Sequence, residues 1–100
     1  STTRPITLHD ILALVSTRYD VKPSEIYGRK RSRSIALPRQ ICMFVAREIT
    51  SLSLEEVGTF LGGRDHTTVL HACRTIAEQR KVSADLDNAL DEIVHTLKHA

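Results

Sequence analysis

The sequence has no tryptophan, and its only aromatic residues are Tyr19, Tyr27, Phe44 and Phe60. That scarcity argues against a surface that holds partners by ring stacking, which needs exposed aromatics. Cysteine is almost as rare. Cys42 and Cys73 are far apart, each within an apolar helical pattern. They read as small buried hydrophobes rather than a bridge or a redox pair. No apolar run approaches membrane-spanning length and no signal-peptide pattern opens the chain, so a reducing cytoplasm is expected and no membrane contact. No stretch alternates as a half-buried strand does, and there is no repeat, low-complexity segment or internal linker. The chain opens on Ser-Thr-Thr-Arg-Pro without an initiator Met, which suggests a domain cut from a longer protein.

What is present is helical periodicity over one domain's length. One hundred residues can bury enough apolar surface to fold without disulfides or metal. The expectation is a single all-α domain over 1–100 with about six helices. Helix one runs from about Leu8 to Arg18, with Thr7 as its cap, Asp10 three residues on, and Leu8, Ile11, Leu12 and Val15 on one face. A short second helix is opened by Pro23 and closed by Gly28. The segment 29–34 has no apolar periodicity and reads as a loop. Helix three starts near Pro38 and reaches about Thr50, with Ile41, Phe44, Val45 and Ile49 as its buried stripe. Ser53-Leu54-Glu55-Glu56 is a capping box that starts helix four, and Gly62-Gly63 must end it. Helix five follows from Asp65 to about Lys81. A sixth, from about Ser83 to Lys98, repeats Leu86, Leu90, Ile93, Val94 and Leu97. A short helix, a tight turn and a long helix over about 53–81 outline a helix-turn-helix.

The modest net charge of +2 conceals a strong asymmetry. Between 29 and 50, Arg29, Lys30, Arg31, Arg33, Arg39 and Arg47 oppose Glu48 alone, while between 83 and 100, Asp85, Asp87, Asp91 and Glu92 oppose Lys98. One positive surface is thus available to a polyanion and the tail is kept away from it. By itself a basic run is more readily a solvated loop.

Helix five carries the sharper signal. On a 100° wheel, Val69, Leu70, Cys73, Ile76, Ala77 and Arg80 share an arc of about 120°. Thr67, Thr68, His71, Arg74, Thr75 and Glu78 occupy the other side. The first turns of that face hold donors and acceptors on short arms, as a helix entering a DNA groove requires. A carboxylate can accept from the cytosine amine, which suits Asp65. Imidazole and hydroxyl groups can meet base edges, which suits His66 and Thr67. His66 falls toward the apolar arc on the ideal wheel, so its outward role needs a position in the first turn. Thr68, His71 and Arg74 suit phosphates, helped by the amides of the helix N-terminus. Arg64, in the turn, can reach a base or a phosphate. Asp65 also suits a simple N-cap role, and His66 a half-buried packing role.

The basic segment complements this helix. A narrow, electronegative minor groove favours an inserted guanidinium. Arg31 is the candidate for insertion, with Arg29, Lys30 and Arg33 on the backbone. Arg39, Gln40, Arg47 and Thr50, at the two ends of helix three, are further candidates for phosphate.

The run Gly-Gly-Arg-Asp-His-Thr-Thr-Val-Leu-His at 62–71, with Arg-Ser-Arg-Ser at 31–34 and Pro-Arg-Gln at 38–40, resembles the C-terminal DNA-binding domain of the bacterial DnaA family of replication initiators. The resemblance covers essentially the whole chain. It implies a helix-turn-helix related to that of the Trp repressor, and binding to DnaA boxes, asymmetric elements resembling TTATCCACA, at a replication origin. It places major-groove base contacts on Asp65, His66 and Thr67 and the minor-groove arginine on Arg31. It places backbone contacts on Arg33, Arg39, Gln40, Arg47, Thr50, Thr68 and His71. It further implies no cofactor in this domain, with ATP and Mg confined to an AAA+ module upstream that also drives self-assembly, and an isolated domain that is monomeric. Glu55 stands where many members have proline and is expected to face away from the duplex. Leu37 stands where some have a basic residue, removing one phosphate contact.

Three rival readings stand beside this one. An enzyme finds little support: His66 and His71 lie about 140° apart on the helix, poor for joint metal ligation, and the glycine turn lacks the lysine of a phosphate-binding loop. No catalysis and no metal site are expected. A repressor of the Trp-repressor type would need a dimer interface and a ligand pocket, for neither of which the pattern shows a surplus of exposed apolar residues. A bundle presenting Leu86 to Leu97 to a protein stays open, and a gel shift on DnaA-box against scrambled DNA separates all three.

Overall fold

The computed structural model describes residues 5–99. The opening Ser-Thr-Thr-Arg, on which the idea of a cut-out domain partly rests, lies outside the described residues. Helix α1, Leu8–Tyr19, starts on a true capping box: the Asp10 amide donates to Thr7 Oγ1 at 3.2 Å and the Thr7 amide donates to Asp10 Oδ2 at 3.0 Å. The short α2, Pro23–Tyr27, has Pro in its first turn, where a missing N–H costs nothing. Then come α3, Arg33–Ile49, α4, Leu54–Phe60, α5, His66–Val82, and α6, Ala84–Lys98. All described elements are helices, as the periodicity requires.

Two expectations about α3 are corrected. It starts at Arg33, not near Pro38, so the unstructured basic stretch shrinks from 29–34 to 29–32. Pro38 sits inside the helix and deprives only the Ser34 carbonyl of its partner, in an exposed first turn where water can solvate it. The turn upstream has its own anchor, because Ile35 is buried. The second correction concerns burial. Instead of one stripe, every residue from Ile41 to Ala46 is buried. The reason is position: α3 packs against all five other helices, and its faces have no solvent to meet in that stretch.

The remaining helices seal the core around it. Ile11, Ile26, Met43, Leu61, Ile76, Leu90 and Ile93 are almost wholly enclosed. Cys42 is a buried packing residue whose thiol is pushed up to about 12 by burial, so it stays neutral at physiological pH. Cys73 is half-buried and free. Arg80, on the apolar arc of α5, lies 5.8 Å from the Phe44 ring centre. Its guanidinium joins Asp87 at 2.7 Å and Asp91 at 2.9 Å, fastening α5 to α6. Much of the acidity of the C-terminal segment is therefore engaged in this joint, away from α5's first turns. Among the described residues no helix is long and apolar enough to cross a membrane.

Candidate nucleic-acid interface

The helix-turn-helix is built from α4, a five-residue turn and α5. The Ser53–Glu56 capping box forms as expected, with reciprocal bonds of 3.1 and 2.9 Å. At its other end, Gly62 and Gly63 adopt φ of +90° and +73°, the left-handed region that glycine enters without steric cost. The Gly63 amide then donates to the Thr59 carbonyl, and the Arg64 amide to that of Gly58 at 2.8 Å. Leu61 is buried under the turn and fixes its depth.

Gly58 was not singled out in the sequence, where it is an isolated glycine in a helical pattern. Its lack of a side chain is what brings the two helices together. A Cβ there would overlap the Arg64 carbonyl oxygen and press on the Val69 side chain. Gly62 is constrained twice, by its φ and by the Tyr27 carbonyl against its Cα face.

Asp65 occupies the N-cap position of α5, but its carboxylate does not cap. It lies exposed, 3.1 Å from Nδ1 of His66, whose ring is itself more than half exposed. The position in the first turn thus turns His66 outward, despite the wheel. Thr67, Thr68, His71 and Arg74 are exposed too. The apolar arc of α5 is buried at Val69, Ala72 and Ile76.

A groove of about 870 Å³ runs between these residues and the basic segment. The basic segment contributes Arg29 and Arg31, α3 contributes Arg39 and Gln40, and the turn and α5 contribute Arg64, Asp65, Thr67, Thr68 and His71. Small side chains at Ala36 and Ala72 keep it open. His66, Lys30, Arg33 and Arg74 are exposed outside its lining. Arg47 and Thr50 are not brought to it either. Arg47 donates to the Leu52 carbonyl at 2.6 Å, and Thr50 Oγ1 bonds to the Ala46 carbonyl of its own helix.

Two of the expected phosphate partners, Arg39 and Arg64, border the groove but are bonded to protein. Arg39 is only 8% exposed. Its Nε donates to the Ile26 carbonyl at 2.8 Å, Nη1 to Lys30 at 2.8 Å, and Nη2 to Glu25 and Gly28 at 2.9 and 3.1 Å. Arg64, half-buried, donates to the carbonyls of Tyr27, Gly28 and Leu61. Most donors of these two guanidiniums thus satisfy backbone acceptors that would otherwise be left without partners, which sets them apart from the exposed arginines of the loop. Burial, and next the neighbouring Arg64 charge, lower the Arg39 pKa; burial and then Arg29 do the same for Arg64. The mutual repulsion reflects how densely cations gather beneath the groove. In the loop itself, Lys30 pairs loosely with Glu25 at 3.5 Å.

A helix-turn-helix whose second helix presents polar, exposed first turns across a groove from a basic segment defines a DNA-binding domain. The family described as "Bacterial dnaA protein helix-turn-helix" matches residues 8–76. This chain belongs to that family. It is 45% identical over 96 residues to the chromosomal replication initiator protein DnaA of Chromobacterium violaceum, covering 96% of this chain and 21% of that protein. The DnaA protein of Burkholderia multivorans is 46% identical over 95 residues, covering 95% of this chain and 18% of the relative. That of Laribacter hongkongensis is 51% identical over 83 residues, or 83% of this chain and 17% of its own length. The chain therefore spans about a fifth of the length of these relatives.

Proposed function

We propose that this domain binds double-stranded DNA at DnaA-box elements of a bacterial replication origin. The N-terminal end of α5 enters the major groove, and the 29–32 segment enters the adjacent minor groove. The observation that carries this reading is that Arg29 and Arg31 line the same groove as Asp65, Thr67, Thr68 and His71. A major groove about 12 Å wide admits one helix, and base edges there present the donor and acceptor pattern that short polar side chains can read. Asp65, His66 and Thr67 read bases from the first turn of α5. Thr68, His71 and Gln40 hold the backbone, with Arg29, Lys30, Arg33, Arg47, Thr50 and Arg74 as peripheral partners. The domain acts as a monomer in the cytoplasm, without cofactor or metal. Nucleotide binding and self-assembly belong to the rest of a longer protein.

Fluorescence anisotropy with a box duplex and a scrambled duplex tests the reading. Thr67→Ala or Asp65→Ala is expected to cost about 1–3 kcal/mol on the box and little on scrambled DNA. Equal losses on both would remove the base-reading role. Arg31→Ala should weaken binding more on a box with its A/T edge intact than on one with that edge changed to G/C, because the guanidinium favours the narrower groove. Equal effects on the two duplexes would leave Arg31 a phosphate partner only.

A further inference from the structure

The carbonyls of Glu25, Ile26, Tyr27 and Gly28 end the short α2, where a helix leaves its last acceptors without intrahelical partners. Here those acceptors face inward and meet two arginines from different elements. Arg39, from α3, reaches Glu25, Ile26, Gly28 and, beyond the helix, Lys30. Arg64, from the turn before α5, reaches Tyr27 and Gly28 as well as Leu61 in its own turn. The Gly28 carbonyl is shared by both. Lys30, whose carbonyl Arg39 holds, lies between Arg29 and Arg31, the two loop cations that line the groove.

We propose that Arg39 and Arg64 are positioning residues for DNA reading: their guanidiniums, bonded to successive carbonyls between residues 25 and 30, hold the 29–32 segment in register with the first turn of α5. The inference rests on the proposed function and adds how its two reading elements are coupled. The planar fork of arginine suits the task, since several fixed donors meet several carbonyls at once and a lysine ammonium cannot span them. A loop of five residues between α2 and α3 has few other anchors. Without the fork, Arg31 would have to be ordered at the moment of binding, and that ordering opposes association.

A double-mutant cycle on the whole 100-residue chain tests this, read by anisotropy on box, edge-altered and scrambled duplexes. Arg39→Gln is expected to lower box affinity roughly tenfold, within the range that coupled residues show. In that background Arg31→Ala should cost little more and lose its A/T-edge preference, while Thr67→Ala keeps its full effect. Amide exchange without DNA should quicken at 29–32 and stay unchanged in the middle of α5. If Arg31→Ala instead costs the same factor in both backgrounds and 29–32 exchange is unaltered, the positioning role is overturned. Should Arg39→Gln fail to fold, Arg64→Gln, which releases the same loop from the other side, carries the cycle with the same two outcomes. A wild-type chain that does not separate box from scrambled duplex would refute the proposed function itself, a result distinct from additive losses on a discriminating protein.

Discussion

Replacing Arg29, Lys30, Arg31 and Arg33 together with alanine should reduce box affinity by on the order of a thousandfold at 0.1 M salt, with the deficit fading toward 1 M. Each cation that neutralises a phosphate contributes about 0.9 to the slope of log affinity against log salt, so four of them account for a slope change of roughly 3–4. All four side chains are exposed, and none carries the hydrogen bonds that hold the loop backbone. Arg39 and Arg64 supply those bonds, so the variant should keep its fold and its melting temperature within a few degrees. A salt titration of the variant beside the parent protein gives the slope directly. An unchanged slope would mean that the loop does not meet the polyanion, and the groove would lose its role as a DNA interface.

Gly58→Val should be the most damaging single substitution for the fold. In an open helix, replacing glycine by alanine gains about 1 kcal/mol. Here the added Cβ meets a backbone carbonyl, that of Arg64, which cannot rotate away as a side-chain end would. Overpacking of this kind costs about 1–3 kcal/mol, and the displaced Arg64 amide risks its bond to Gly58 as well, worth about 1 kcal/mol. Alanine should therefore destabilise despite its propensity, and valine, with two further methyls, more so. For a domain of this size each kcal/mol moves the melting temperature by about 4–8 °C. Gly63 is the control: a Cβ there has no neighbour within 4 Å, and only its positive φ opposes substitution. Gly63→Asn, which tolerates that conformation, should stay close to the parent protein, whereas Gly58→Val should melt well below it. Equal melting temperatures would show that α4 and α5 do not approach as closely as described.

Local signals carried most of the architecture. Thr7 with Asp10, and Ser53 with Glu56, announce helix starts because a short oxygen and a carboxylate three residues apart can satisfy the first amides with no help from the rest of the fold. Gly62-Gly63 announces the turn because only glycine takes two successive positive φ values cheaply. Pro38 misled for the complementary reason. Proline discourages a helix only through one missing bond and a local clash, and buried Ile35 on the upstream turn outweighs that. The stripe on α3 was read too narrowly because periodicity describes a helix with one wet side, and α3 has none between Ile41 and Ala46.

At the interface the same division appears among the arginines. All look alike in sequence, as cations near a groove-reading helix. All four border the groove, but Arg29 and Arg31 are exposed, while Arg39 and Arg64 give their donors to the carbonyls of α2. No spacing rule distinguishes them, since their partners are 9 to 14 residues away for Arg39 and up to 37 for Arg64.

The order of amino acids was sufficient to settle the number of helices and all their limits but the start of α3, the glycine turn, the outward polar start of α5 and the family, since each depends on residues within a few positions of one another. Tertiary packing alone chose which guanidiniums serve the backbone and which remain at the surface, and made Gly58 indispensable. Those outcomes depend on carbonyls that distant segments leave unsatisfied, and on how closely two helices must approach once the core is closed.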